Sequence, residues 1–303
     1  MEKRGIGSLR VSVVGLGCNN FGRRLDEAAT KRVVDAALDA EINFFDTADI
    51  YGGTKSEEFL GRVLGNRRKD IVLATKFGMA VDENRKGAKP EYVKQACTDS
   101  LARLGTDWID LYQLHEPDPS VPIADTLGAL TELVHEGKVR EIGCSNFSPQ
   151  QLQEAQAAAG SGAHFVSVQN EYSLLKRDPE KGVLSACDSL GMAFIPYFPL
   201  FSGLLTGKYR LGQGVPVGTR IQEGSERLAE ANLDLVEQFI GFAERHGHTI
   251  LELAFGYLLM RSEVSSVIAG ATSEEQVRSN TMSAAWRLTD DEMLELQGIV
   301  GPV

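Results

Sequence analysis

The chain has 303 residues, 43% of them hydrophobic and 24% charged, proportions of a folded globular protein rather than a disordered or fibrous one. Its formal net charge of -11 disfavours broad attraction to nucleic acid or to an anionic membrane, because both repel an acidic surface. No apolar stretch is long enough to span a bilayer and the N-terminus lacks the apolar run of a signal peptide, so a cytoplasmic protein is expected. The cysteines Cys18, Cys97, Cys144 and Cys187 stand far apart without a C-x-x-C pair, which fits a reducing compartment. His246 and His248, two apart on a helical pattern, would face different ways, and no metal site is expected.

In chain order, residues 2–12 carry two short extended pieces around Gly5-Ile6-Gly7, the pattern of a small hairpin that plugs the fold it precedes. From there, short apolar runs at 13–17, 43–45, 71–75, 108–114, 139–144, 165–169, 192–197 and 264–269 read as strands. They alternate with helical patterns near 27–41, 56–65, 90–104, 123–136, 148–159, 179–190, 250–261 and 273–283. Ser148-Pro149, and Ser273 followed by Glu274 and Glu275, are helix-start signals. Eight strands alternating with eight helices predict a closed (β/α)₈ barrel, the TIM barrel. An open doubly wound sheet is the rival, but Gly15-Leu16-Gly17-Cys18-Asn19-Asn20 lacks the third glycine of its usual first turn. Outside the repeat lie a long connection at 199–224 and an extra helix at 225–247. No composition shift divides residues 1–303, so one domain is expected.

A (β/α)₈ barrel builds its active site at the C-terminal ends of its strands. The second strand runs through Asn43-Phe44-Phe45 into Asp46, with Tyr51 just beyond; the third ends at Lys76, the fourth at His115. Taken singly, each has an ordinary structural reading: a buried ion pair for Asp46 and Lys76, a packed ring for Tyr51, a satisfied core histidine for His115. Together they make chemistry. An ammonium beside a phenol lowers the phenol's pKa, a carboxylate holds that lysine charged, and the trio becomes a proton donor for an alkoxide while His115 orients the carbonyl.

Asp46, Tyr51, Lys76 and His115 match the catalytic tetrad of the aldo-keto reductases, and the resemblance continues over nearly the whole chain. Gly143-Cys144-Ser145-Asn146-Phe147, Gln169-Asn170-Glu171-Tyr172, Tyr197-Phe198-Pro199-Leu200 and the stretch from Gly270 to Asn280 are similar to that family, though Phe198 stands where a small residue is more usual. The resemblance implies a nicotinamide cofactor: Ser145, Asn146 and Gln169 grip its carboxamide, Tyr197 stacks on its ring, and Gly17, Cys18, Asn19 and Asp46 lie beside it. The loop containing Pro199, Leu200, Ser202, Gly203, Leu204 and Lys208 would fold over the pyrophosphate, as in the potassium-channel β subunits of the same superfamily. That loop is no P-loop, because its glycines are too close and Tyr209 follows the lysine. At the adenosine end, Gly270 and Thr272 lead into a helix start that offers N–H groups to an anion. Gln276 and Asn280, four apart, share a helix face toward the adenine.

The same resemblance implies that Arg220 meets the ribose phosphate of NADP(H), against the like charge of Glu274 and Glu275. The expected protein is thus an NADPH-dependent reductase of a small aldehyde or ketone. The alternative is a cofactor-sensing regulatory subunit with slow chemistry, but such subunits typically carry Asn where this chain has His115. Phe21, Trp108 and Phe201 are candidate pocket walls, core packing being the other reading. Neither the substrate nor the oligomeric state is readable from these residues.

Overall fold

The computed structural model describes residues 1–217, 219, 221, 228 and 233–301. Strands β1 (Lys3–Ile6) and β2 (Leu9–Ser12) form the antiparallel hairpin expected at the start. Eight parallel strands follow: β3 (Val14–Gly17), β4 (Phe44–Asp46), β5 (Val72–Phe77), β6 (Ile109–Leu114), β7 (Val139–Ser145), β8 (Phe165–Glu171), β9 (Ala193–Tyr197) and β10 (Val267–Gly270). They pair in chain order from β3 to β9, with β10 returning to β3. Between β9 and the run into β10, the Phe194 N–H donates to the Glu263 carbonyl at 2.7 Å and the Ser265 N–H to the Phe194 carbonyl at 3.1 Å. The result is the expected (β/α)₈ barrel, wrapped by helices at 27–39, 55–64, 90–104, 123–135, 149–159, 183–190, 250–259 and 274–283.

The short apolar runs become strands because both their faces are covered, one by the helices and one by the barrel interior. At the N-terminal end of the barrel, Phe44, Ala74, Leu111, Ile195 and Ile268, one or more from each of five strands, meet Ile6, Leu9 and Val11 of the hairpin in a single apolar cluster. The hairpin is therefore a plug, and the far end of the barrel is left for polar groups. Helix starts follow the expected chemistry: Ser148 and Gln151 close a capping box, and the Ser273 hydroxyl accepts from the Gln276 N–H.

Two differences from the sequence reading, at the last barrel strand and at the C-terminal helix, have local causes. The last barrel strand begins at Val267 rather than 264, because Val264 bridges to Phe194 instead. Of the extra helix expected at 225–247, Leu233–Arg245 is described. A helix at Asp290–Val300 was not among the expected elements, although Thr289 and Glu292 close a capping box at its start. Only Leu296 of that helix is buried, so its apolar periodicity is too weak to announce it. No helix of the described residues is long and apolar enough to cross a membrane.

Because Ile6 has no exposed surface and sits in the plugging cluster, Ile6→Ala should lower unfolding stability by about 2–5 kcal/mol. A urea titration checks this; a loss below about 1 kcal/mol would mean the hairpin is not part of the cooperative core.

Candidate active site

β4 ends in a carboxylate because the chain leaves the barrel there. Past Asp46, the Thr47 N–H donates to the Ala74 carbonyl at 2.9 Å and the Asp49 N–H to the Lys76 carbonyl at 3.1 Å, so the segment climbs the rim of β5 before turning at Tyr51-Gly52-Gly53. Gly52 has φ 61°, and a Cβ there would stand 2.4 Å from the Phe21 carbonyl oxygen. The turn that presents Tyr51 thus requires glycine on both counts.

The side chains converge. Lys76 Nζ lies 2.6 Å from Asp46 Oδ2, donates to the Thr47 carbonyl at 2.8 Å and reaches Tyr51 Oη at 3.4 Å. Both members of the ion pair are buried, with side-chain exposures of 1% and 4%. The other Asp46 oxygen accepts from the amides of Gln113 at 3.1 Å and Gln169 at 3.0 Å. Burial alone would lower the Lys76 ammonium, but Asp46 and Tyr51 outweigh it and hold the group above its ordinary value, hence charged. For Tyr51 the expectation of a lowered phenol needs correction: burial pushes the phenol above its usual value, and Lys76 pulls it back without cancelling that effect.

His115 stands edge-on to Tyr51, ring centroids 5.9 Å apart and planes at 77°. Burial, and next the Lys76 charge, lower its pKa to about 3, so the imidazole is neutral across the physiological range. Its carbonyl accepts from Asn146 Nδ2 at 3.0 Å, and Asn146 Oδ1 in turn accepts from the Tyr197 hydroxyl at 2.8 Å. Asn146 holds a left-handed φ of 63°, an uncommon backbone at the rim of a site. The Ser145 hydroxyl donates to the Gln169 carbonyl at 2.7 Å.

These groups floor a cleft of about 1250 Å³ at the C-terminal end of the barrel. Tyr51, His115 and Asp46 line it, as do Gly17, Cys18, Asn19, Ser145, Asn146, Gln169, Tyr197, Pro199, Leu200, Ser202, Gly203, Lys208, Gly270, Thr272, Gln276 and Asn280. Lys76 is buried behind Tyr51 and acts through it. Leu204, Phe21, Phe201 and Trp108 are not among the cleft's lining residues, and for Phe21 and Phe201 it is the core-packing reading that holds. Leu204 turns into the apolar core, while Phe21 and Phe201 are buried there too. Trp108, at the opposite end of β6, is packed against the guanidinium groups of Arg68 and Arg140, 4.7 and 5.3 Å from its ring. Ile50, Met79 and Phe198 supply the apolar cleft wall instead. Arg220 lies outside the described residues.

Sequence reasoning missed Gln113, a polar residue in the buried run of β6, whose placement inside the apolar strand was the available signal. It also passed over Asp49, which is 1% exposed with neither oxygen hydrogen-bonded. Burial, and next the charge of Glu57, raise its pKa to about 7. Among the described residues no group of His, Cys, Asp and Glu is arranged to hold a metal ion. All four cysteines are free and buried.

The cleft fits a nucleotide. Gly17 and Gly270 stand side by side in the β3–β10 register, and a Cβ on Gly270 would lie 3.2 Å from Asn20 Nδ2 and 3.3 Å from Asn19 Oδ1. Asn19 Oδ1 is a buried acceptor with no donor, as a ribose hydroxyl would require. The exposed Lys208 ammonium lies on the same cleft, and the Ser273-capped helix of Gln276 and Asn280 opens onto it.

Asp49 carries a pH prediction. Its folded pKa lies above the unfolded carboxyl value of about 3.9, so its contribution to stability is present below that value and is lost as pH rises through about 7. Asp49→Asn, which mimics the protonated form, should gain stability relative to the parent chain between about pH 5 and about pH 8. Urea midpoints at both pH values decide it, and an identical pH dependence in the two proteins would contradict the assignment.

Comparison with known proteins agrees with this geometry. The family described as "Aldo/keto reductase family" matches residues 13–300. A "Probable aldo-keto reductase 1" of Glycine max is 34% identical over 305 residues, covering 97% of this chain and 87% of that one. An "Uncharacterized oxidoreductase YqkF" of Bacillus subtilis (strain 168) is 34% identical over 98% of this chain and 96% of its own. Among solved structures, the "aldo-keto reductase AKR11C1 from Bacillus halodurans (holo form)" superposes with a TM-score of 0.83 at 34% identity, covering 99% of this chain and 96% of that one. By its barrel and by these matches, the chain belongs to the aldo/keto reductase family, oxidoreductases that reduce carbonyls.

Proposed function

We propose that the protein is a single-domain, cytoplasmic, NADPH-dependent reductase that converts an aldehyde or ketone to an alcohol, with Tyr51 as general acid. The carrying observation is the Lys76 ammonium, held 2.6 Å from Asp46 and 3.4 Å from the Tyr51 hydroxyl inside the protein. When bound, the nicotinamide supplies the hydride.

Everything else falls to the chain. A carbonyl oxygen between Tyr51 and His115 meets two hydrogen-bond donors, the phenol and one N–H of the neutral imidazole. As negative charge grows on that oxygen, Tyr51 gives up its proton. Lys76 stabilises the phenolate left behind, and Asp46 keeps Lys76 charged and in place. Ser145 and Asn146 border the cleft floor where a carboxamide would be held, and the Tyr197 ring offers a stacking face. Gly17, Asn19 and Gly270 admit the nucleotide backbone closely, Thr272, Gln276 and Asn280 offer polar groups to its adenosine end, and Lys208 supplies positive charge for its phosphates. The four free, buried cysteines support the cytoplasmic reading.

Two outcomes are expected. Tyr51→Phe keeps the ring and removes the proton donor, so kcat should fall by about 10²–10⁴ with NADPH affinity, followed by fluorescence, little changed. Undiminished turnover would remove Tyr51 from the mechanism. Cofactor choice rests on Lys208 and on the resemblance at Arg220: NADPH is expected to be preferred, and Arg220→Ala to raise the KM for NADPH while sparing that for NADH. Equal losses with both cofactors would show that Arg220 does not read the ribose phosphate.

A further inference from the structure

The chain carries an excess of carboxylates, 42 against 31 lysines and arginines, and its arginines are correspondingly engaged. Among the described residues every arginine side chain but two meets a carboxylate or donates to a backbone carbonyl. Arg10 and Arg32, for instance, donate to the Lys3 and Ala28 carbonyls, and the others form ion pairs. The exceptions are Arg23 and Arg24. Both are exposed, and both line the active-site cleft.

Their position is built. The Asn20 carbonyl accepts from the Arg23, Arg24 and Leu25 N–H groups at 3.3, 2.9 and 3.0 Å, and the Gly22 N–H donates to the Leu25 carbonyl at 2.9 Å, closing a tight turn with the arginines at its tip. Phe21 and Leu25 on either side are buried. The turn is also wedged against the segment that carries Tyr51: a Cβ on Gly22, whose φ is 72°, would stand 2.4 Å from Lys55 Cβ and 3.4 Å from the Gly52 carbonyl oxygen. On the other side, Asn20 Nδ2 donates to the Ala271 carbonyl at 3.3 Å. The turn's backbone therefore sets Arg23 and Arg24 in the lining of the same cleft as Tyr51. The cleft's own carboxylates do not neutralise them, since Asp46 is committed to Lys76 and neither Glu116 nor Glu275 pairs with either arginine.

We propose that Arg23 and Arg24 form an anion subsite for the substrate, so that the preferred substrates are aldehydes or ketones bearing a carboxylate or phosphate. The proposal rests on the carbonyl-reductase reading of the same cleft. A planar guanidinium fork matches either anion, and two side by side bind it with charge-assisted hydrogen bonds that a neutral substrate cannot make. In a protein of net negative charge, such a patch also counters the general repulsion of an anionic substrate. A cofactor pyrophosphate could present the same chemistry to these arginines, and the experiment separates the two sources.

The test compares succinic semialdehyde with its methyl ester, using NADPH and the full-length enzyme. The parent enzyme should favour the acid in kcat/KM, and the preference should shrink as ionic strength rises. The Arg23→Gln/Arg24→Gln double variant should lower the acid-to-ester ratio about tenfold or more, mainly through the KM for the acid, and Arg23→Lys/Arg24→Lys should restore part of it. Calorimetric titration with succinate should show binding to the parent and about tenfold weaker binding to the double glutamine variant. An acid-to-ester ratio that is the same in parent and variant would overturn the subsite, as would a variant that loses affinity for NADPH rather than for the acid, which assigns the arginines to the cofactor. Failure of the parent to reduce either compound or any other carbonyl tried would instead sink the reductase reading itself.

Discussion

The structure turns on one buried ion pair. Moving an ammonium and a carboxylate out of water costs several kcal/mol for each ion, and their attraction offsets this only when the remaining donors and acceptors are satisfied. Here they are satisfied from around the barrel: Thr47 supplies a carbonyl to Lys76, while Gln113 of β6 and Gln169 of β8 supply amides to Asp46 of β4. Gln169 also donates to Gln113 at 3.3 Å, so the shell is continuous across the barrel. No pair of neighbouring strands could build it alone. Removing either charge would leave the other stranded at a cost of about 3–5 kcal/mol, which ties the chemistry of the cleft floor to closure of the sheet.

The division of the barrel into two ends follows from the same constraint. The hairpin fills the N-terminal end with Ile6, Leu9 and Val11, so polar groups inside the sheet gather at the opposite end, where loops rather than side-chain layers close the fold. Those loops hold unusual backbone. Asn146, Phe198, Phe201 and Ser202 all have positive φ, between 44° and 63°, although none is glycine, and Asn146, Phe198 and Ser202 line the cleft. Such conformations cost on the order of 1–3 kcal/mol each and persist where the surroundings hold them in place. Asn146 illustrates the holding: its backbone N–H and both ends of its side chain are hydrogen-bonded, to Gln169, His115, Ser145 and Tyr197.

Much of this is legible in the sequence. The barrel was readable because its strands are buried on both faces and so appear as short apolar runs, and the rule that such barrels work at their strand ends then picked out Asp46, Tyr51, Lys76 and His115. Residues that depend on three-dimensional packing were not readable. Gln113 acts on a carboxylate 67 positions away, a relation that no local pattern encodes. Leu204, expected in the cofactor loop, has its side chain in the apolar core, a burial that no local pattern announces. Trp108 is the exception, because it opens the run 108–114 and strand direction alone puts it at the end away from the cleft. For Tyr51, the neighbouring lysine could be anticipated but the depth of burial could not, and burial decides the direction of the shift.

The central claim is that the Tyr51 phenol, with Lys76 behind it, is the group that protonates the carbonyl oxygen. Incorporating fluorinated tyrosines of graded acidity at position 51, and recording kcat/KM for NADPH-dependent carbonyl reduction against pH, tests it most directly. Reduction needs the protonated phenol, so activity should fall as pH rises through the phenol's pKa, and that alkaline limb should move down in step with the acidity of the substituted ring. A limb that stays at one pH across the series would contradict the account.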